Sequence, residues 1–117
     1  MNERIDRYRR GLKAERLAAW YLRLKGYRIL DTRMKTPVGE IDLIARRGKS
    51  LVFVEVKARG TIDTALESVK THQSRRIVRA AEFYLAGYRG KTPDIRFDVI
   101  AIQSPFRVKH IRAAFTA

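Results

Sequence analysis

The chain has 117 residues, among which 26 lysines and arginines outnumber 12 acidic residues, so its formal net charge is +14. It contains no cysteine, which excludes disulfides and thiolate metal sites, and no apolar run approaches the ~20 residues of a membrane span. This length fits one domain, which we expect to cover residues 1–117. The basic excess favours a polyanionic partner over a solubilising surface, for which a net charge of roughly 2–8 suffices.

The first ten residues are mostly charged and no apolar segment follows them, which is not the pattern of a signal peptide. No predicted helix is long, basic and strongly apolar on its other side, as a membrane-surface helix would be. We therefore expect a cytoplasmic protein with no membrane partner.

A helix is predicted from about residue 7 to residue 25, and Gly26 suits a left-handed cap at its end. Its apolar stripe consists of Ala14, Leu17, Ala18, Tyr21 and Leu24. A short strand is predicted at about residues 27–31, and the sequence Thr-Pro-Val-Gly at 36–39 predicts a turn.

Residues 40–45 alternate between two faces, and the polar residues 46–50 turn the chain back into a strand of residues 51–57. We expect these two strands to form an antiparallel hairpin. The second strand is apolar on both faces, which predicts a central strand covered on both sides.

After a loop at residues 58–68, a second helix is predicted at residues 70–85, followed by a strand at 96–102 and an edge strand at 108–111. The order of helices and strands predicts an α/β fold. Its central mixed sheet would have about four to five strands, flanked by helices.

An acidic site is predicted where the central strand leaves the core. Glu55 and Lys57 lie on one face there, and a buried charge is costly unless it is paired or binds something. If Ala45 faces Leu51 across the hairpin, Asp42 lies within one residue of Glu55 in the register. Two ionised carboxylates about 5 Å apart repel by roughly 3 kcal/mol at an effective dielectric of about 20, and a cation reverses that sign. The alternative is an ordinary ion pair between Glu55 and Lys57.

The predicted metal ligands are hard oxygen atoms suited to Mg²⁺ or Mn²⁺. The carboxylates of Asp42 and Glu55 would supply them, with the backbone carbonyl of Val56 as a candidate third ligand. Lys57 would then reach the attacking water or the scissile phosphate. A bound metal and a cation near the developing charge are the parts that metal-assisted phosphodiester hydrolysis needs.

Two further acids are candidates for the same site. Glu15 on the first helix has no cationic residue three or four positions away, so no helical salt bridge accounts for it, and it borders the apolar stripe. Glu40 shares a strand face with Asp42, and it is equally consistent with a solvated acid at the strand edge.

The second helix carries basic residues on the face opposite its apolar stripe, at helical spacing. Such cations hold phosphates without reading sequence, so we expect contacts with nucleic acid, with DNA favoured over RNA. The alternative is a solvated helix face. The expected nucleic-acid-binding residues are Lys70, His72, Gln73, Arg75, Arg76 and Arg79.

No part in the predicted site is assigned to Trp20, the tyrosines, Asp98 or His110. Trp20 and the tyrosines fall mostly at the spacing of core residues, and we interpret them as packing residues rather than base-stacking platforms. Asp98 alternates with apolar neighbours and is interpreted as structural, paired with a nearby arginine. His110 is assigned no role.

Three segments together resemble a bacterial family, the YraN-like proteins: GEIDLIA at residues 39–45, VFVEVKAR at 52–59 and RFDVI at 96–100. The first helix and the residues after it also match, with AERLAAWYL at 14–22 and KGY at 25–27, so the resemblance covers nearly the whole chain. That family is similar to restriction-endonuclease-like proteins and to archaeal Holliday-junction resolvases, whose signature is an acid followed by acid-x-Lys on adjacent strands.

The resemblance implies a restriction-endonuclease-like fold with a catalytic set formed by Asp42, Glu55 and Lys57. Glu15 would be the helix-borne acid of that set. The chain departs from the family at residues 73–74, where Gln-Ser replaces a Lys-Gln pair. An auxiliary phosphate contact is therefore missing there or is supplied by a neighbouring residue.

We therefore expect a nuclease that depends on Mg²⁺ or Mn²⁺ and hydrolyses DNA phosphodiester bonds, with branched DNA as a candidate substrate. Two alternatives stay open: a nucleic-acid-binding protein with a nuclease fold and no catalysis, and a basic module that binds a partner in an acidic assembly. A homodimer is expected if both strands are cut, because that usually needs two sites.

Overall fold

The structure is a computed structural model that describes residues 3–58, 71–89, 93–104 and 107–116, with the backbone alone at residues 3–8, 10 and 71–73. Its helices and strands in chain order are α1 Glu3–Leu24, β1 Arg28–Thr36, β2 Gly39–Arg47, β3 Ser50–Lys57, α2 Thr71–Ala86, β4 Asp94–Ser104 and β5 Arg107–Phe115. Neither of these two helices has the length and apolar character needed to cross a membrane.

The strands form one mixed sheet in the order β1-β2-β3-β4-β5. Antiparallel hairpins join β1, β2 and β3, whereas β3 and β4 are parallel and β4 and β5 are antiparallel. The parallel pair requires a crossover connection, and α2 lies within it. The predicted α/β fold class is confirmed, and this arrangement is consistent with a restriction-endonuclease-like domain.

Two apolar clusters cover β3, one on each face of the sheet. Leu51 and Phe53 pack with α2 residues such as Ile77, and Val52 and Val54 pack in the cluster that contains the apolar stripe of α1. All four strand residues are buried. This confirms the predicted central strand, and it places the last residues of β3 at the rim of the core.

The hairpin between β2 and β3 is tighter than predicted. It turns through Gly48 and Lys49 alone, and Gly48 has the left-handed φ of 60° that two-residue turns favour. The prediction that Ala45 faces Leu51 is therefore wrong by one residue, because the turn has two residues rather than five. Ala45 faces Val52 instead.

The end of α1 is set by Gly26, which has a φ of 89°, as predicted. The N–H of Tyr27 donates to the carbonyl of Leu22, five residues earlier, at 2.9 Å. This is the hydrogen bond that closes a glycine-capped helix end, and Tyr27 is buried there. Leu24, predicted on the apolar stripe, is 84% exposed. It lies roughly 120° around the helix from Ala18, at the centre of the buried stripe.

Both edge strands are longer than their predicted lengths at residues 27–31 and 108–111. Because their residues are mostly exposed or half-buried, their sequences show little of the alternation between apolar and polar residues by which a strand is recognised. Each contains a non-glycine residue with left-handed φ: Arg33 in β1 at 51° and Ala113 in β5 at 50°. Each edge pairing also contains a register shift.

Candidate active site

Asp42 lies where β2 separates from β3. The paired residues of the two strands run as far as Leu43 and Val54. The N–H of Val56, two residues further along β3, donates to Asp42 Oδ2 at 2.8 Å, where a longer ladder would supply a backbone carbonyl. The N–H and C=O of one strand residue point to the same side, so the Val56 carbonyl is also directed toward Asp42. The divergence leaves a notch lined by a carboxylate and a carbonyl.

Glu55 lies beside this notch, as the sequence predicted. It is only 8% exposed, and Lys57 Nζ is 3.3 Å from its Oε1. The ion pair that the sequence left open as an alternative is therefore present. It does not balance the site by itself, because the second carboxylate, that of Asp42, is close enough to raise the pKa of Glu55.

The charge of Asp42 opposes ionisation of Glu55, whereas a hydrogen bond with Glu55 lowers the pKa of Asp42. Burial is the main cause that raises the pKa of Glu55 to about 7, the charge of Asp42 adds to it, and Lys57 opposes it. Burial also raises the pKa of Asp42, against the lowering effects of the Val56 N–H and of Lys57. A buried pair of this kind holds its second negative charge weakly unless a cation is near.

Glu15 on α1 belongs to the same cluster. Its Oε1 is 3.7 Å from Arg33 Nε, and the same nitrogen is 3.9 Å from Glu40 Oε1. Burial raises the pKa of Glu15 to about 7, and the charge of Asp42 contributes next. Arg33 was missed by the sequence analysis. It reaches the acids from a left-handed backbone, which costs a non-glycine residue roughly 1–2 kcal/mol.

The charge of this cluster has the opposite sign to the charge of the whole chain. Its four carboxylates are those of Glu15, Glu40, Asp42 and Glu55, and among the described residues the cations paired with them are Arg33 and Lys57. With every group ionised, the cluster carries two unbalanced negative charges in a chain of net charge +14. A cation bound here would relieve the repulsion.

The cluster fits Mg²⁺ better than a metal ion that needs a closed cage of protein ligands. Within the described residues, no group of three or more His, Asp or Glu side chains is placed to hold a metal by itself, so a closed cage is not formed. Mg²⁺ needs fewer protein ligands, since one or two carboxylates suffice when waters and phosphate oxygens complete its coordination shell. Asp42 and Glu55, with the Val56 carbonyl on the same edge, meet that requirement.

The predicted nucleic-acid contacts fall only partly within the described residues. Arg75, Arg76 and Arg79 are exposed on α2. Lys70 lies outside the described residues, and only the backbone of His72 and Gln73 is described.

The basic face of α2 lies next to the hairpin that carries Asp42. A Cβ atom on Gly39 would meet the carbonyl oxygen of Arg76 at 3.2 Å, so α2 and the start of β2 are in close contact. Gly39 is three residues before Asp42.

Asp98 is the second buried acid, and its predicted pairing with an arginine is confirmed. Arg96 donates to both of its oxygens, Nε to Oδ1 and Nη2 to Oδ2, each at 2.8 Å. The N–H of Ala113 donates to Oδ1 at 3.0 Å. Burial would raise the pKa of Asp98, but hydrogen bonds from His110, Arg96 and Ala113 hold it below its ordinary value.

His110 takes part in this network, although the sequence analysis gave it no role. Its Nε2 is 2.6 Å from Asp98 Oδ2, and its Nδ1 is 3.0 Å from Lys25 Nζ. The network ties the end of α1 to β4 and β5. Its partners are 12 and 85 residues away along the chain, so the only available signal was a carboxylate in an apolar strand that needed partners.

The interpretation of Trp20 as a packing residue is wrong. Its side chain is 63% exposed, because it lies roughly 160° around α1 from Ala18, at the centre of the buried stripe. The interpretation is confirmed for Tyr27, which is buried, and for Tyr84, whose ring packs edge-on against Phe53.

Known sequences show where the chain belongs. The family described as "Uncharacterised protein family UPF0102" matches residues 14–102. The chain is 49% identical to a UPF0102 protein of Bartonella tribocorum, over 98% of this chain and 89% of that protein. It is 50% identical to one of Parvibaculum lavamentivorans, over 92% of this chain and 82% of that protein. It is 45% identical to one of Nitrobacter winogradskyi, over 97% and 98% of the two chains. The chain belongs to the UPF0102 family.

Proposed function

We propose that this protein is a metal-dependent nuclease that hydrolyses phosphodiester bonds in DNA. The observation that carries the proposal is the junction of β2 and β3, where Asp42 accepts the Val56 N–H and Glu55 pairs with Lys57. Metal-assisted phosphoryl transfer needs the parts that neighbouring strands bring together here: the buried carboxylate of Glu55, the half-buried one of Asp42 and the ammonium of Lys57.

Asp42 and Glu55 would hold Mg²⁺ or Mn²⁺, with the Val56 carbonyl as a third protein ligand. When bound, such a cation lowers the pKa of its water and neutralises charge on the phosphate. Lys57 would place its ammonium against the negative charge that develops on the phosphate oxygens. Glu15, with a pKa of about 7, is suited to take up the proton of the attacking water near neutral pH.

The substrate would be held by the exposed cations around the acidic cluster. Arg75, Arg76 and Arg79 lie on α2, which contacts the start of β2. If about six phosphates are neutralised in all, affinity should fall roughly a thousandfold between about 50 and 200 mM salt. We propose DNA in the cytoplasm as the substrate, and a homodimer where both strands are cut.

A second candidate is a nucleic-acid-binding protein with this fold and no catalysis. The ion pair between Glu55 and Lys57 favours it, because at 3.3 Å it occupies both groups with each other. The Gln-Ser sequence at residues 73–74 favours it as well, since it removes a lysine that the resemblance led us to expect. Binding without cutting is the outcome that this candidate predicts.

The test is a cleavage panel of blunt duplex, single strand, flap and four-way junction, titrated with Mg²⁺ or Mn²⁺. We expect cleavage that EDTA stops and that Asp42→Asn, Glu55→Gln and Lys57→Ala abolish. Glu82→Gln is the matched control, because it makes the same chemical change on an exposed side chain of α2. Activity retained in all three site variants would reject the assignment, and salt-sensitive binding without cutting of any substrate would support the second candidate.

A further inference from the structure

A cleft of about 200 Å³ lies between α1 and the hairpin of β1 and β2. Its apolar lining includes Leu12 and Ala19 from α1 and Leu43 from β2. The helical residues that line it recur at intervals of three and four, so they form one continuous stripe of α1. The cleft is therefore a groove along the helix, large enough for a single planar ring.

The groove begins at the acidic cluster. Glu15 lines it, and the charge of Asp42 acts on Glu15. Trp20 lines it as well, five residues further along α1, which is roughly 7.5 Å at the helical rise. That separation is about the length of one nucleotide.

Cations flank the groove along its length. Arg16 and Arg23 line it from α1, and Arg33 lines it from β1. The guanidinium of Arg23 is 5.5 Å from the centre of the Trp20 ring. An exposed aromatic ring among arginines matches what single-stranded nucleic acid requires, because bases stack on the ring and phosphates bind the cations.

We propose that this groove binds one unpaired nucleotide, with its base stacked on Trp20 and its phosphate among the flanking arginines. The inference rests on the proposed function, since the adjoining phosphodiester would lie at the acidic cluster. A base inside a duplex already stacks on its neighbours, so an unpaired base is the one with a free face for Trp20. The substrate class is therefore nucleic acid with a single-stranded tail or flap, rather than blunt duplex.

A second copy of the chain is the competing occupant. Leu24 is 84% exposed and lies four residues from Trp20, so the two form a small apolar patch. A symmetric dimer through this patch would bring Arg16 and Arg23 of both copies together, and like charges in apposition disfavour it. A nucleic-acid strand has the opposite charge and fits the same surface without that cost.

The test measures binding without cleavage, in EDTA at low salt, on labelled duplexes with and without a single-stranded tail. The wild type should bind the tailed duplex more tightly than the blunt one. Trp20→Ala should weaken binding of the tailed duplex about 5- to 140-fold and leave blunt-duplex binding unchanged. Trp20→Phe should keep most of the preference, and Phe83→Ala, which removes another exposed aromatic ring, should keep all of it. Because Trp20 is the single tryptophan of the chain, tailed DNA should also change its emission.

The outcomes separate this inference from the proposed function. Metal-dependent cleavage with no effect of Trp20→Ala on binding, or saturation with tailed DNA without a change in emission, overturns the inference alone. Tail-specific binding through Trp20 without cleavage under any metal overturns the nuclease alone. If the wild type sediments as a dimer and Trp20→Ala and Leu24→Ala each dissociate it, a second copy, not a nucleotide, occupies the surface. A wild type that binds neither duplex overturns both proposals.

Discussion

Replacing Glu55 with glutamine should make the metal-free protein more stable. The ordinary pKa of this side chain is 4.5, and in the folded protein it is about 7. The difference of about 2.5 pH units corresponds to roughly 3 kcal/mol of opposition to folding at 1.36 kcal/mol per unit. Glu55→Gln removes that cost, and the pKa of about 7 already includes the effect of Lys57, so we expect a gain of about 3 kcal/mol at pH above 7.

The sign of the effect gives it a specific dependence on pH. Below about 4.5 the carboxyl is protonated in both the folded and the unfolded chain, and Glu55 costs nothing. As the pH rises from there to about 7, the unfolded chain ionises while the folded protein keeps its proton, so the free energy of unfolding falls. Above about 7 the full cost is present. The gain from Glu55→Gln should therefore be absent in acid and complete in mild alkali.

Urea denaturation followed by circular dichroism, at a pH below 4.5 and again above 7, measures this gain. A gain of about 3 kcal/mol corresponds to a rise in Tm of about 12 °C for a domain of this size. Added Mn²⁺ should stabilise the wild type and leave the variant unchanged. Glu82→Gln serves as the exposed control. Destabilisation by Glu55→Gln at high pH, or an equal effect at both pH values, would refute the claim that burial and the charge of Asp42 oppose ionisation of Glu55.

Further predictions concern the metal, the second buried acid, an edge strand and the basic helix. Mn²⁺ binding in calorimetry should strengthen as the pH rises through about 7, because Glu55 must lose its proton to bind; a flat profile would contradict this. Asp98→Ala should destabilise the protein by about 3–5 kcal/mol in urea titrations, since it removes the buried acceptor of the hydrogen bonds from Arg96, His110 and the Ala113 N–H. Ala113→Gly should stabilise by about 0.5–1 kcal/mol in the same assay, because glycine accepts a φ of 50° without strain. Arg79→Ala should reduce the slope of log affinity for duplex against log salt by about 0.9, and an unchanged slope would remove this residue from the interface.

The hairpin of the candidate site could be predicted from the sequence because local patterns determine it. Alternation in residues 40–45, a short polar turn and an apolar strand place Asp42 next to Glu55 in any register near the observed one. The register differs from the predicted one by one residue, because the turn has two residues, Gly48 and Lys49, and the five polar residues 46–50 predict a longer loop. Asp42 tolerates this error since its side chain bonds to the Val56 N–H beyond the end of the ladder.

Arg33 could not be predicted, because its position depends on backbone conformation. Read as a regular strand residue, it gives no sign of reaching Glu15 and Glu40. The residue whose left-handed φ redirects the strand is neither glycine nor asparagine, so its type does not indicate that conformation. His110 was missed for a different reason: its partners come from the end of α1 and from β4, and no local pattern joins them.

Trp20 shows how an exposed aromatic residue of a helix can be interpreted wrongly as a packing residue. Ala14 and Ala18 of the predicted stripe are buried, and together with Leu22 they define the buried side of α1. Trp20 lies outside that stripe and Leu24 lies at its edge, so both side chains face solvent. Their exposure became visible only with the sheet in place.

The kinked edges of the sheet have a consequence for behaviour at high concentration. A flat outer strand offers unpaired N–H and C=O groups on which another molecule can add, which is how edge-to-edge aggregation begins. Here the left-handed residues Arg33 and Ala113 and a register shift in each edge pairing interrupt both outer strands, and lysines and arginines line these strands. The left-handed residue that brings its guanidinium to the carboxylates of Glu15 and Glu40 thus also disfavours fibril-like growth by edge-to-edge pairing.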